Sequence, residues 1–170
     1  VIYTKTGEFS AVMRIENPVQ KYSANIDSYY EFSHLFSAIS QTLGEGYAMH
    51  KQDIFTRKQF KDESGNEHEF LSESYFKYFK GREYTDTSSY LIITQENKKG
   101  RLLSYDSKKW RDFIVKINKV YDQLKDSGIP VRFLDKEEAS EYVDRFFATN
   151  FRDKTVSMTG FKVDDEMISM

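Results

Sequence analysis

The chain has 170 residues, of which 39% are hydrophobic and 31% are charged, and it carries a formal net charge of -2. This length supports one domain with a hydrophobic core, and the charge gives no overall field that would attract nucleic acid or an anionic membrane. The lack of cysteine excludes disulfides, thiolate metal sites and a thiol nucleophile. No run of the sequence approaches the ~20 apolar residues that a membrane span needs.

Strands and helices alternate along the predicted chain. The pattern predicts strands over residues 1–6 and 8–17, a helix over 28–43, a strand over 47–60, a helix over 67–80, a strand containing 90–93, a helix between Asp106 and Gly128, a strand over 131–134, a helix over 135–148 and a strand over 155–163. This order favours an α+β fold with a largely antiparallel sheet, opened by a hairpin and packed against about four helices. We expect a ferredoxin-like layer with additions.

Local signals set the ends of several elements. Asn17-Pro18 ends the second strand, and Ser28 with Glu31 has the pattern of a capping box at the start of the first helix. Asp135 with Glu138 has the same pattern before the last helix. Its apolar face is predicted to contain Ala139, Tyr142, Val143, Phe146 and Phe147.

The helix between Asp106 and Gly128 has the longest periodic pattern in the chain. Its apolar residues recur at helical spacing and form one stripe, which consists of Trp110, Phe113, Ile114, Ile117, Val120, Tyr121 and Leu124. Asp106 or Ser107 can cap the first amides, and Gly128 can end the helix in the left-handed conformation. We expect this stripe to pack against the neighbouring strands.

The helix predicted over 67–80 is unusually aromatic. Phe70 and Phe76 fall to either side of the arc that would face the sheet. Either neighbouring loops cover these two side chains, or they form part of an apolar docking patch. We treat Phe70 and Phe76 as candidate docking residues.

A search for catalytic motifs finds none. The sequence has no G-x-x-x-x-G-K-[ST] run to bind phosphates and no G-x-S-x-G elbow. Its three histidines lie in different elements without the spacing that directs two imidazoles at one metal ion. We therefore predict no catalytic, cofactor-binding or metal site in this segment, and an independent hydrolase is a distant alternative.

A basic cluster surrounds the start of the long helix. It consists of Lys98, Lys99, Arg101, Lys108, Lys109 and Arg111. The helix dipole would add to its attraction for an anion, so a nucleic-acid-binding module is the alternative function. The other interpretation is a solvated helix face, which the negative net charge favours.

Five long, ungapped runs carry a family resemblance. They are VIYTKTGEFSAVMRIENPVQKYSANIDSYYEF, QTLGEGYAMHKQDIF, FKYFKGREYTDTSSYLIITQE, SYDSKKWRDF and NFRDKTVSMTGFKVDDE. Together they resemble the N-terminal region of TraG-family conjugation-system ATPases of conjugative transposons, across essentially the whole chain. Such proteins are similar to the large ATPases of type IV secretion, which carry a RecA-like motor downstream, hexamerise and energise DNA transfer.

The resemblance implies a non-catalytic docking domain. Residues 1–170 would form a single N-terminal domain excised from a longer protein, cytoplasmic and peripheral at the inner face of the inner membrane. Its implied partners are inner-membrane proteins of the transfer machine and its own downstream ATPase domain, with a hexamer only in the full-length protein. ATP and Mg²⁺ would belong to the motor beyond Met170, so this segment needs neither.

Overall fold

The computed structural model describes residues 1–4, 6–22, 25–60, 74, 77–97 and 106–149. Its strands are β1 (Ile2–Tyr3), β2 (Phe9–Ile15), β3 (Tyr47–Gln59), β4 (Glu83–Gln95) and β5 (Val131–Phe133). Its helices are α1 (Val19–Tyr22), α2 (Ile26–Leu43), α3 (Ser107–Asp126) and α4 (Lys136–Phe147). Residues 74 and 77–79 are also helical. The rest of the helix predicted over 67–80 and the strand predicted over 155–163 lie outside the described residues.

All five strands belong to one antiparallel sheet, in which β5, β2, β4 and β3 lie side by side. β1 pairs with β2 as the predicted hairpin, and Gly7 adopts a φ of 80° in the turn. The path from β2 through α2, β3, β4 and α3 to β5 is the β-α-β-β-α-β order of ferredoxin-like folds. The structure therefore confirms the predicted α+β fold and antiparallel sheet, with β1, α1 and α4 as additions.

Alternation along the strands divides the sheet into two faces. The helix face carries Phe9, Met13 and Leu91, and it packs against α2 and α3. The opposite face, called here the α4 face, carries residues such as Arg14 and Tyr90. Since most of the buried apolar side chains belong to the helix face, the core lies between the sheet and α2 with α3.

The structure confirms the predicted stripe and ends of α3. The side chains of Phe113, Ile117, Val120 and Leu124 are buried, and the remaining stripe residues are partly buried against the same core. The Asp106 carboxylate caps the helix by accepting hydrogen bonds from two backbone amides of the first turn. Gly128 follows the helix with a φ of 69°, which a residue with a Cβ rarely adopts.

The predicted start of α2 is wrong. The helix begins at Ile26, and Asn25 is its N-cap, with the Asn25 Oδ1 atom accepting a hydrogen bond of 2.7 Å from the Ser28 amide. Ser28 therefore lies inside the first turn and does not form a capping box with Glu31. The physical reason is that an asparagine caps a helix at least as well as a serine and occurs three residues earlier.

The capping box of α4 is confirmed, whereas its predicted apolar face is only partly buried. Asp135 accepts a hydrogen bond from the Glu138 amide, and the Glu138 carboxylate accepts one from the Asp135 amide. Tyr142 is buried, but Phe146 and Phe147 are 43% and 51% exposed. The sheet surface next to the helix is lined mostly by polar and charged side chains, which offer little apolar surface to its last turn.

Candidate functional site

The hairpin of β3 and β4 extends beyond the rest of the sheet. Its two strands pair over thirteen residues each, whereas β2 contacts β4 only as far as the pair formed by Ile15 and Ser89. β2 ends before Asn17-Pro18, where the Asn17 side chain accepts a hydrogen bond of 3.0 Å from the Val19 amide at the start of α1. Residues 54–59 and 83–88 thus form a two-stranded ribbon, which we call the β3–β4 arm.

The arm carries aromatic side chains in contact with solvent. Phe55 is 67% exposed, and Tyr84 is 48% exposed on the opposite face of the ribbon. Near the closed end, Tyr78 is 60% exposed, and the guanidinium carbon of Arg82 lies 3.7 Å from the centre of its ring. Because rigid aromatic side chains are common anchors in protein interfaces, the arm has the composition of a binding element.

Helix α4 contacts the sheet next to the root of the arm. The Tyr142 hydroxyl donates a hydrogen bond to the side-chain carbonyl of Gln52 on β3, and the Tyr142 ring lies 4.7 Å from the Tyr90 ring on β4. Burial, followed by the neighbouring Tyr90, raises the pKa of Tyr142 above its ordinary value. This hydroxyl is therefore a hydrogen-bond donor at neutral pH and not a base.

A cleft of about 240 Å³ remains between α4 and the arm, and we call it the α4 cleft. Four basic and three acidic side chains line it. Arg132 binds the Glu138 carboxylate through two hydrogen bonds of 2.6 Å each, and Lys58 pairs with Asp86 at 2.9 Å. The hydrogen bonds from Arg132, then that from the Asp135 amide, lower the pKa of Glu138 to about 2.

Arg14 is the remaining charged group in the α4 cleft. Arg145 pairs with Glu141, so each of the three carboxylates has a basic partner other than Arg14. Arg14 is exposed and forms no ion pair with any residue in the part of the chain that the structure describes. Its charge helps to lower the pKa of Glu138, which is already bound to Arg132. The cleft therefore holds one basic charge in excess.

A hydrogen-bonded group on the helix face contains a serine but cannot act as a nucleophilic site. The Ser89 hydroxyl donates a hydrogen bond of 2.6 Å to Asp53, which also binds Lys51. Burial opposes ionisation of Asp53, but the hydrogen bonds from Lys51 and Ser89 outweigh it and lower the pKa. Ser89 is only 1% exposed, so a substrate cannot reach its oxygen. The group therefore provides a hydrogen-bond partner for the buried Ser89 hydroxyl.

The structure describes three of the six residues of the predicted basic cluster. Lys108 and Arg111 are exposed on the first turns of α3, and Lys109 donates a hydrogen bond of 3.1 Å to Asn97. The Asp106 carboxylate accepts hydrogen bonds of 2.9 and 3.3 Å from the amides of Lys108 and Lys109. A bound anion would have to displace that carboxylate, which weakens the predicted contribution of the helix dipole.

The other predicted site residues are Phe70, Phe76, Lys98, Lys99 and Arg101, and all five lie outside the described residues. Arg14, Phe55 and Tyr84 were not among the predicted site residues. The length of the strand predicted over 47–60, compared with a second strand that ends at Pro18, was a usable signal for Phe55 and Tyr84, because unmatched strand length must project from the sheet. Arg14 had no such signal.

Within the described ranges, no three histidine, aspartate or glutamate residues are grouped so that they could hold a metal ion. None of the helices in these ranges is long and apolar enough to cross a membrane. Comparisons with known protein families, with curated proteins and with solved structures find no match for this chain.

Proposed function

We propose that the chain is the non-catalytic N-terminal docking domain of a TraG-family conjugation ATPase. In this role it links the downstream motor to inner-membrane components of a type IV secretion-like DNA transfer machine, on the cytoplasmic side. The resemblance of five long sequence runs supports the proposal. The β3–β4 arm supports it independently, because it presents exposed aromatic side chains on two paired strands.

The exposure of Phe55 on the β3–β4 arm is the observation that carries this proposal. A phenylalanine that is 67% exposed adds little to folding, yet it can transfer its ring into a partner's pocket and so contribute strongly to binding. The paired strand β4 holds the arm backbone in place, so little conformational entropy is lost when a partner binds. The geometry is that of a preorganised docking element.

The test compares two matched substitutions in the full-length protein. Phe55→Thr removes the exposed ring and keeps a β-branched residue suited to a strand. Val115→Thr makes a similar polar change on α3, where Val115 is 53% exposed. We expect both isolated domains to stay within about 0.5 kcal/mol of the wild-type free energy of unfolding.

DNA transfer between cells is the functional measurement. We expect Phe55→Thr to lower transfer at least about tenfold, which corresponds to ~1.4 kcal/mol of lost binding, while Val115→Thr leaves transfer unchanged. Protein abundance is measured in the same cells. Unchanged transfer by Phe55→Thr at wild-type abundance would contradict docking through the arm.

A further inference from the structure

Among the described residues, no strand pairs with β4 on the β2 side beyond the pair formed by Ile15 and Ser89. Two backbone hydrogen bonds of 2.9 Å flank the ladder between β3 and β4. The Phe60 amide donates one to the Arg82 carbonyl, and the Glu96 amide donates the other to the Gly46 carbonyl. Even-numbered residues of β4 therefore bond to β3. Hydrogen bonds alternate in direction along an antiparallel strand. The amides and carbonyls of Glu83, Thr85 and Thr87 therefore point to the side where β2 would continue.

The space beside this edge is a cavity of about 340 Å³, which we call the notch. Thr87 and Ser88 of β4 line one side of it, and Asn17, Pro130 and Arg132 line the other. The wall opposite β4 contains the chain that follows β2. This chain is held to the residues before β5, because the Glu16 amide donates a hydrogen bond of 2.9 Å to the Pro130 carbonyl. Within the described part of the chain, Thr87 on the edge of β4 thus faces this cavity, and Thr85 and Glu83 farther along the same edge are exposed.

Arg14 connects the notch to the α4 cleft, because its side chain lines both. It lies opposite Tyr90 of β4 and Arg132 of β5 in the strand register. Arg132 is held by Glu138, whereas Arg14 has no carboxylate of its own in the described part of the chain. An acidic group that enters the notch can therefore pair with Arg14 without breaking an existing ion pair.

We propose that the notch binds an extended peptide segment of a partner protein that carries an acidic side chain. The peptide backbone adds to β4 along Glu83, Thr85 and Thr87, in the line that β2 leaves vacant. Its carboxylate binds Arg14, which sets the register of the added strand. The notch lies on the β2 side of β4, whereas Phe55 lies on β3, opposite Thr87 in the strand register. This proposal stands without the role in conjugation because it concerns binding alone.

The test uses a defined probe and the 170-residue protein. The probe is a nine-residue peptide of alternating valine and threonine that begins with valine, with glutamates replacing the two central of its four threonines. It is titrated into ¹⁵N-labelled protein, and the amide signals of Thr85 and Thr87 are followed. We expect saturable shifts at these two amides and slower hydrogen exchange there, because the added strand covers them.

Two kinds of control separate backbone pairing from charge pairing. Arg14→Gln should weaken binding about tenfold, as expected for the loss of one charge-assisted hydrogen-bonded pair, and Arg111→Gln on α3 should not change it. A second peptide has glutamines at the two acidic positions. Its affinity for the wild-type protein should be about tenfold lower than that of the acidic peptide. Its affinity for Arg14→Gln should equal its affinity for the wild-type protein. N-methylation of alternate peptide amides should abolish binding by every variant.

Three results would overturn the proposal. The first is the lack of saturable shifts at Thr85 and Thr87 up to about 1 mM peptide, the weak limit of specific recognition. The second is equal affinity of Arg14→Gln and wild-type protein for the acidic peptide. The third is that a single-stranded oligonucleotide, and not the peptide, shifts these amides. Peptide binding to the notch does not depend on the result of the DNA transfer experiment, so the docking proposal and the peptide proposal can be refuted separately.

Discussion

Replacement of Phe113 by alanine should test how the domain is held together. Phe113 is fully buried, and the rings of Phe9, Tyr47 and Trp110 lie 5.8, 6.3 and 6.4 Å from its own. Truncation of a buried phenylalanine typically costs about 3–5 kcal/mol, through lost burial and the cavity that remains. For a domain of this size, that loss corresponds to a melting temperature lower by about 6–20 °C.

Far-ultraviolet circular dichroism during urea and thermal unfolding is the suitable assay. Tryptophan fluorescence is not, because the only tryptophan, Trp110, is close to the substituted ring and would change its signal directly. Val115→Ala on the same helix is the control, and we expect it to change the free energy of unfolding by at most about 0.5 kcal/mol, because Val115 is 53% exposed. A loss below about 1 kcal/mol for Phe113→Ala, with an unchanged urea dependence, would refute the description of the core.

Two further predictions concern charge. The hydrogen bonds from Arg132, then that from the Asp135 amide, lower the pKa of Glu138 from 4.5 to about 2. The ionised Glu138 therefore stabilises the fold above pH ~4.5, and this contribution is lost as the pH falls towards 2. Glu138→Gln should flatten the fall in stability over that range in acid titrations followed by circular dichroism, and an unchanged profile would exclude Glu138 as a cause. We also expect no saturable binding of single-stranded DNA at physiological salt in fluorescence anisotropy. Tight, salt-sensitive binding that is lost in a protein with both Lys108→Glu and Arg111→Glu would instead support the nucleic-acid alternative.

The elements that the sequence predicts well are those whose signals are local. The stripe of α3 repeats over four turns, and Asp106 and Gly128 mark its ends within the same stretch of chain. Caps and periodicity depend on neighbours three or four residues away, so no tertiary information is needed. The hairpin around Gly7 was predictable for the same reason.

Competition between local signals explains the error at α2. Asn25 and Ser28 are both good N-cap residues. Residue preference alone does not choose between them, and a tertiary contact fixes α1 just before the helix: the Tyr22 hydroxyl donates a hydrogen bond of 3.1 Å to the Ser127 carbonyl. A contact between residues 105 positions apart cannot be read from the pattern near Asn25.

The candidate site was not predictable because it depends on strand pairing. The notch exists because β2 is shorter than β4 and because β5 returns to the other edge of β2. Arg14 gave no sequence signal, since one arginine in a strand is ordinary. Its significance comes from the register that brings it beside Arg132 and from the way Glu138 selects one of the two guanidinium groups.

The central position of β2 has a consequence for synthesis of the protein. β2 emerges from the ribosome early, but one of its partners, β5, begins at Val131, which is 116 positions after Ile15. At about 5–20 residues per second, this delay lasts about 6–23 s. During that time the edge of β2 from Met13 to Ile15 lacks its partner strand. Among the described strands, β2 is therefore the segment of the nascent chain at greatest risk of pairing with a wrong strand.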